Sequence, residues 1–182
     1  MQELENLFDS FEKEDSSSSV FRSDVGPEKI VFVHDSYTHR RGRVYEFSDK
    51  EFGILSSLLK KTKLPIDCYQ FVAALKSFDT REEDVTTEVL TAHRKYLSED
   101  LEAIQPSLII PLGNLALKAV TKKSGILSKR GKEFAVELES GETVPVVPTL
   151  HPFSLYVEPK LRSLFVQDLS LIHISEPTRL GM

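Results

Sequence analysis

The chain has 182 residues, 40% of them hydrophobic, with a formal net charge of −5 and one cysteine, Cys68. That length suits one domain with a core large enough to fold unaided, and a lone cysteine excludes both a disulfide framework and a cysteine-rich metal cage. The acidic balance excludes a protein that coats nucleic acid non-specifically while leaving room for a local basic patch, and no apolar run approaches the roughly 18 residues that would span a bilayer.

Residues 1–28 read as an acidic, serine-rich N-terminal segment. Leu4, Leu7, Phe8 and Phe11 recur at helical spacing, predicting a short amphipathic helix over 1–12, and Ser16–Ser19 reads as a flexible linker. The start, Met1-Gln-Glu-Leu-Glu5, has neither the basic nor the apolar region of a secretory signal, and the single cysteine fits a reducing, cytoplasmic setting, which is expected. Ile30-Val-Phe-Val33 is a short continuous apolar run, as in a strand buried on both faces. Phe52, Leu55, Leu58 and Leu59 mark one face of a helix over about 48–61. A second strand is expected within Cys68–Leu75, and a longer helix through Val89, Tyr96, Leu97, Leu101 and Ile104 that Pro106 prevents from continuing. Leu108–Leu112 is the third strand, and Gly113-Asn114 turns into a helix through Leu115, Leu117 and Val120. Phe134–Leu138 and Val144–Val147 flank Ser140-Gly141-Glu142 as a hairpin, with Val144–Val147 joining the main sheet. A last helix runs through Leu161, Leu164, Phe165 and Leu169. The tail from Ser170 to Arg179 resembles a translated sequencing-library adapter, so residues 170–182 are expected to be foreign and the natural frame to be cut near Leu169.

Strands alternating with helices predict an α/β fold: a three-layer α/β/α sandwich over residues 29–169, with a mainly parallel central sheet of about four strands. In such sheets a ligand crevice lies beyond the carboxyl ends of the strands. The segments after Val33, Val72, Leu112 and Val147 therefore converge there.

Several pieces near those ends recur in a set order: Pro106, Leu112-Gly113, Ala116, Arg130-Gly131-Lys132 and His151-Pro152. In that order they resemble the uracil-DNA glycosylase superfamily, most closely the branch of iron–sulfur bacterial and archaeal enzymes and phage polymerase-related proteins. The resemblance spans about residues 29–169. It implies hydrolysis of the bond between a flipped uracil, or a related modified base, and its deoxyribose in DNA.

On that resemblance His151 donates a hydrogen bond to the departing base, whose developing negative charge needs a fixed donor; on residue grounds alone a histidine there would cap a strand end. The same segment holds the side chain that wedges into the stack, Leu155, with Phe153 or Tyr156 as alternatives. Asp35 is the one carboxylate in Val33-His-Asp-Ser-Tyr-Thr38 and takes the role of orienting water or stabilising a positive sugar. One alignment matches Asp35 and Tyr37 to the family's QDPY form, another matches Asp35 to the glutamate of its GEAPG form. Neither restores the family's glycine and proline. Phe47, or Tyr45, matches the aromatic that stacks on the flipped base. Ala73 falls where the family carries an asparagine that reads uracil, and a methyl group cannot read it. The cluster cysteines are missing as well, so no metal and no cofactor are expected.

Basic residues adjoin these segments: Arg40, Arg41 and Arg43 after the Asp35 loop, and Lys129, Arg130 and Lys132 after the third-strand helix. They are expected to contact DNA phosphates. A monomer acting on single-stranded or duplex DNA is expected, with no membrane role and with a polymerase region following Leu169. The competing reading is a glycosylase-like DNA-binding module of a phage replication protein, weak or inactive in catalysis. A generic nucleotide-binding domain is disfavoured because no phosphate-cradling glycine fingerprint follows the first strand.

Overall fold

The computed structural model describes residues 29–40, 43–62, 64, 69–77 and 82–175; of residues 38–40, 43–45, 82 and 173–175 it describes the backbone alone. The expected helix over 1–12, the serine linker, Arg41 and Cys68 lie outside the described residues.

Strand β1 (Ile30–His34) is buried along its whole length, as its unbroken apolar run requires. A two-stranded ribbon follows, β2 (Thr38–Arg40) against β3 (Arg43–Tyr45). Helix α1 (Asp49–Leu59) starts with a reciprocal capping box: Ser48 Oγ accepts from the Glu51 backbone N–H, and the Glu51 carboxylate accepts from Ser48 N–H at 2.9 Å. Strand β4 (Tyr69–Ala73) is followed by the long helix α2 (Thr87–Ile104), which Thr86 caps and which Gln105 ends in a left-handed conformation just before Pro106. Then come β5 (Leu108–Pro111), α3 (Gly113–Thr121), the single turn α4 (Ile126–Lys129), β6 (Phe134–Glu137), β7 (Thr143–Val146), the short α5 (Pro152–Val157) and α6 (Arg162–Ser175).

The main sheet has five strands in the order β4-β1-β5-β7-β6, all neighbours parallel except the β6–β7 hairpin. The count is one more than expected because β6 joins as an antiparallel edge. Alternation along β1, β4 and β5 divides the core in two. Ile30, Phe32, Tyr69, Leu108 and Ile110 face α1 and α6, where Leu55, Leu58, Phe165 and Leu169 meet them. Val31, Val33, Val72 and Ile109 face α2 and α3, against Leu90, Leu97, Leu101 and Leu115. The three-layer α/β/α architecture stands. Two helix faces differ from expectation by one position: Phe52 and Val89 are exposed, and Leu90 and His93 point inward on α2. The β2–β3 ribbon was not foreseen, since three-residue arms rich in arginine carry no apolar alternation to read.

Candidate active site

Four segments leave the carboxyl rim of the sheet, and hydrogen bonds set each one. After β1 the chain continues beside β4: Ala74 N–H donates to His34 O at 2.7 Å, Leu75 N–H to Asp35 O at 2.9 Å, and Tyr37 N–H to Ser77 O at 3.0 Å. These three bonds hold the Asp35 loop without the glycine and proline of the family patterns. Tyr37 is wedged between the two loops, its ring edge-on to His34 and beneath Lys76 Nζ. Burial, then Asp100 and Glu46, push its hydroxyl up to about 12, so it stays protonated.

After β5, Leu112 N–H donates to Val33 O and Gly113 N–H to Thr149 O. Gly113 has φ +90, and a Cβ placed there would fall 2.9 Å from His151 Cβ. The Leu-Gly pair is thus a point where the chain passes directly against the histidine segment, and only glycine fits. His151 is the N-cap of α5, with Pro152 in the first turn. Its Nδ1 accepts the Phe153 backbone N–H at 3.1 Å, which assigns the ring proton of the neutral imidazole to Nε2. Nε2 faces Asp35 Oδ2 at 3.9 Å, too long for a hydrogen bond but within reach of a shared ligand.

Two residues beside this pair did not emerge from the sequence as site residues. Glu51 Oε1 lies 3.8 Å from His151 Nδ1, so carboxylates flank the ring on both sides. The Ser48–Glu51 capping signature could have placed Glu51 at the start of α1, although only the fold brings that start to His151. The His34 ring centroid lies 5.1 Å from that of Phe47, the two planes tilted by 51°, and the Phe47 ring lies 6.2 Å from that of His151.

The other predicted residues divide. Phe47 is nearly buried at the head of the α1/α6 core, touching His34, Phe71 and His151. Ala73 is the register partner of His34 and fully buried. Leu155 is not available as a wedge. It is 0% exposed and part of the core, because the turn of α5 that aims Pro152 inward also aims Leu155 inward. The exposed large side chains of α5 are Phe153, at 57%, Tyr156 and Val157, the first two being the alternatives. Arg130 has a different task from the one expected. Its Nη1 pairs with Asp168 Oδ1 of α6 at 2.5 Å, while Thr149 Oγ1 donates to Asp168 Oδ2 at 2.8 Å. Gly131, with φ +69, packs so tightly on the same carboxylate that an added Cβ would sit 2.7 Å from it. The Arg-Gly-Lys segment therefore ties α6 to the strand end that precedes His151. Lys132 is exposed and Lys129 partly so; the side chains of Arg40 and Arg43 lie outside the described residues.

A mainly parallel five-stranded sheet with helices on both faces defines the fold class, and the sequence comparisons give the family within it. The family model of the uracil DNA glycosylase superfamily matches residues 35–170, and the chain belongs to that superfamily. Among similar proteins, the DNA polymerase of Bacillus phage SP01 is 28% identical over 135 residues, covering 70% of this chain but 14% of the polymerase. The type-4 uracil-DNA glycosylase of Archaeoglobus fulgidus is 28% identical over 160 residues, covering 81% of this chain and 78% of the enzyme. That of Sulfurisphaera tokodaii is 30% identical over 94 residues, covering 49% and 42%.

An iron–sulfur cluster does not fit these residues. Such clusters take four ligands, mainly cysteines, and the sequence has Cys68 alone. Among the described residues no group of three or more His, Cys, Asp or Glu could hold a metal ion, and no described helix is long and apolar enough to cross a membrane.

Proposed function

We propose that the chain excises uracil or a related base from DNA by hydrolysing its N-glycosidic bond. The observation that carries this reading is the meeting of Asp35 and His151, from opposite ends of the domain, at 3.9 Å on the rim of the sheet. Asp35 orients the attacking water and balances the positive charge that develops on the sugar. His151, with its proton on Nε2, donates to an oxygen of the departing base as negative charge builds there. Phe47 stacks on the base, and exposed Phe153 fills the gap the base leaves in the helix. Family membership supports the glycosylase class, and the archaeal relatives bear that activity in their names.

Single-turnover release of uracil from single-stranded and duplex oligonucleotides tests this. Wild type releases uracil, His151→Ala slows release about 10²–10³-fold, and Asp35→Asn slows it about 10²–10⁴-fold. Absence of release by the wild type from uracil, hypoxanthine and hydroxymethyluracil substrates ends the proposal.

A second reading is a DNA-binding module without catalysis. It draws on Ala73, whose methyl cannot read a base, and on similarity to a small part of a phage polymerase. Salt-dependent DNA binding with no base release identifies it.

A further inference from the structure

At the level of the rim, the sheet residues on the α1/α6 side are His34, Ala73 and Leu112. Ala73 and Leu112 are apolar, so His34 is the one polar side chain that these three strand ends present there. It is 1% exposed, with its ring beside Tyr37 and Phe47. Its Nδ1 lies 3.2 Å from the Ser36 carbonyl oxygen, which can only accept, so Nδ1 carries the proton and Nε2 the lone pair. That Nε2 is buried and has no hydrogen-bond partner among the described residues.

A buried acceptor without a donor is unfavourable, and a phenylalanine or leucine would fill the same space without that cost. The imidazole also stays neutral: burial first, then the neighbouring His151, hold it down from 6.5 to about 3. Its lone pair is therefore present at any pH where DNA is handled. Phe47, assigned above to stack on the base, is in ring contact with this imidazole. The missing donor is accounted for if it arrives with the ligand.

We propose that His34 Nε2 accepts a hydrogen bond from a ring N–H on the pairing edge of the base turned into the site, which makes His34 the residue that selects the base. The proposal rests on the base-excision reading and narrows its substrate class. Uracil and hypoxanthine carry a ring N–H on that edge. Cytosine and adenine carry a ring-nitrogen lone pair there instead, which would face the lone pair of His34. Discrimination by a buried polar group left unpaired is among the strongest that a site can exert.

The test uses the full chain and a pair of substrates, oligonucleotides bearing uracil or 3-deazauracil, in which C–H replaces N3–H at equal size. Release rates are compared for wild type, His34→Phe, which keeps a ring but no acceptor, and His34→Gln, which restores an acceptor. The uracil-to-deazauracil rate ratio should fall about tenfold or more in His34→Phe and be retained in His34→Gln. A ratio unchanged across all three proteins overturns the proposal. If the wild type releases no uracil, hypoxanthine or hydroxymethyluracil, the excision reading falls by itself. The same ratio, taken from affinities for hydrolysis-resistant 2′-fluoro versions of both oligonucleotides, then decides His34. Should His34→Phe fail to fold, the ¹⁵N resonance of wild-type His34 Nε2 answers instead: it moves on binding the uracil oligonucleotide and not the deaza one, and an identical response to both refutes the assignment.

Discussion

At the scale of single residues, the site depends on how closely Gly113 and His151 approach each other. A Cβ at Gly113 meets His151 Cβ at 2.9 Å on a backbone with φ +90. Gly113→Ala should cost about 1–2 kcal/mol for the left-handed backbone, and by displacing the imidazole should slow base release about 10²-fold. Urea unfolding and single-turnover release measure the two effects, and full activity in a destabilised variant would show that His151 tolerates the shift. His34 makes a second prediction, for pH. The folded imidazole titrates at about 3 and the unfolded one near 6.5, so between those values the unfolded chain binds more protons. Its contribution is complete above pH 6.5 and is lost as the pH falls, at about 1.4 kcal/mol per unit. Going from pH 7 to 5 should therefore remove about 2 kcal/mol from the wild type that His34→Gln does not lose. His93, lowered mainly by burial, adds a loss of the same sign, and Asp168, raised mainly by burial, one of the opposite sign. Both are common to the two proteins, so the difference between their urea midpoints at the two pH values isolates His34.

Among elements, α6 and the loop between α4 and β6 hold the last strand end in place. Arg130, Asp168 and Thr149 form one buried-edge network two residues before His151. Removing the cation leaves the Asp168 carboxylate buried without its partner, and Arg130→Ala should lower stability by about 3 kcal/mol. Guanidinium chloride unfolding checks this, and a loss below 1 kcal/mol would return Arg130 to the DNA surface. Much at this scale was legible in the sequence. The Ser48–Glu51 box, Pro106 and the apolar periods place α1, α2 and the parallel strands within a few residues of where they lie. Leu155 shows the opposite case. In a segment as short as His151–Val157, neighbouring apolar residues alternate between core and solvent, and which side is which depends on the direction in which the helix leaves the sheet.

For the whole molecule, a net charge of −5 requires that any grip on DNA be local. Lys129→Ala combined with Lys132→Ala should weaken binding equally for all sequences and flatten the salt dependence by up to about two phosphate contacts. Phe153→Ala should instead spare single strands and lower release from duplex, since only duplex has a stack to hold open. Salt titrations by fluorescence anisotropy and paired release assays measure these, and an unchanged salt slope would place the DNA elsewhere on the surface.

Local patterning determined the order of strands and helices, the buried runs and the positions where the chain must turn, because apolar period, caps, glycine and proline act over a few residues. The likeness of Asp35 and His151 to a glycosylase pair was also visible in one dimension. Their separation, the proton on His151 Nε2, the unmatched nitrogen of His34 and the commitment of Arg130 to Asp168 were decided by tertiary structure alone. Each depends on which side chain from a distant segment arrives beside it, and no local rule specifies that neighbour.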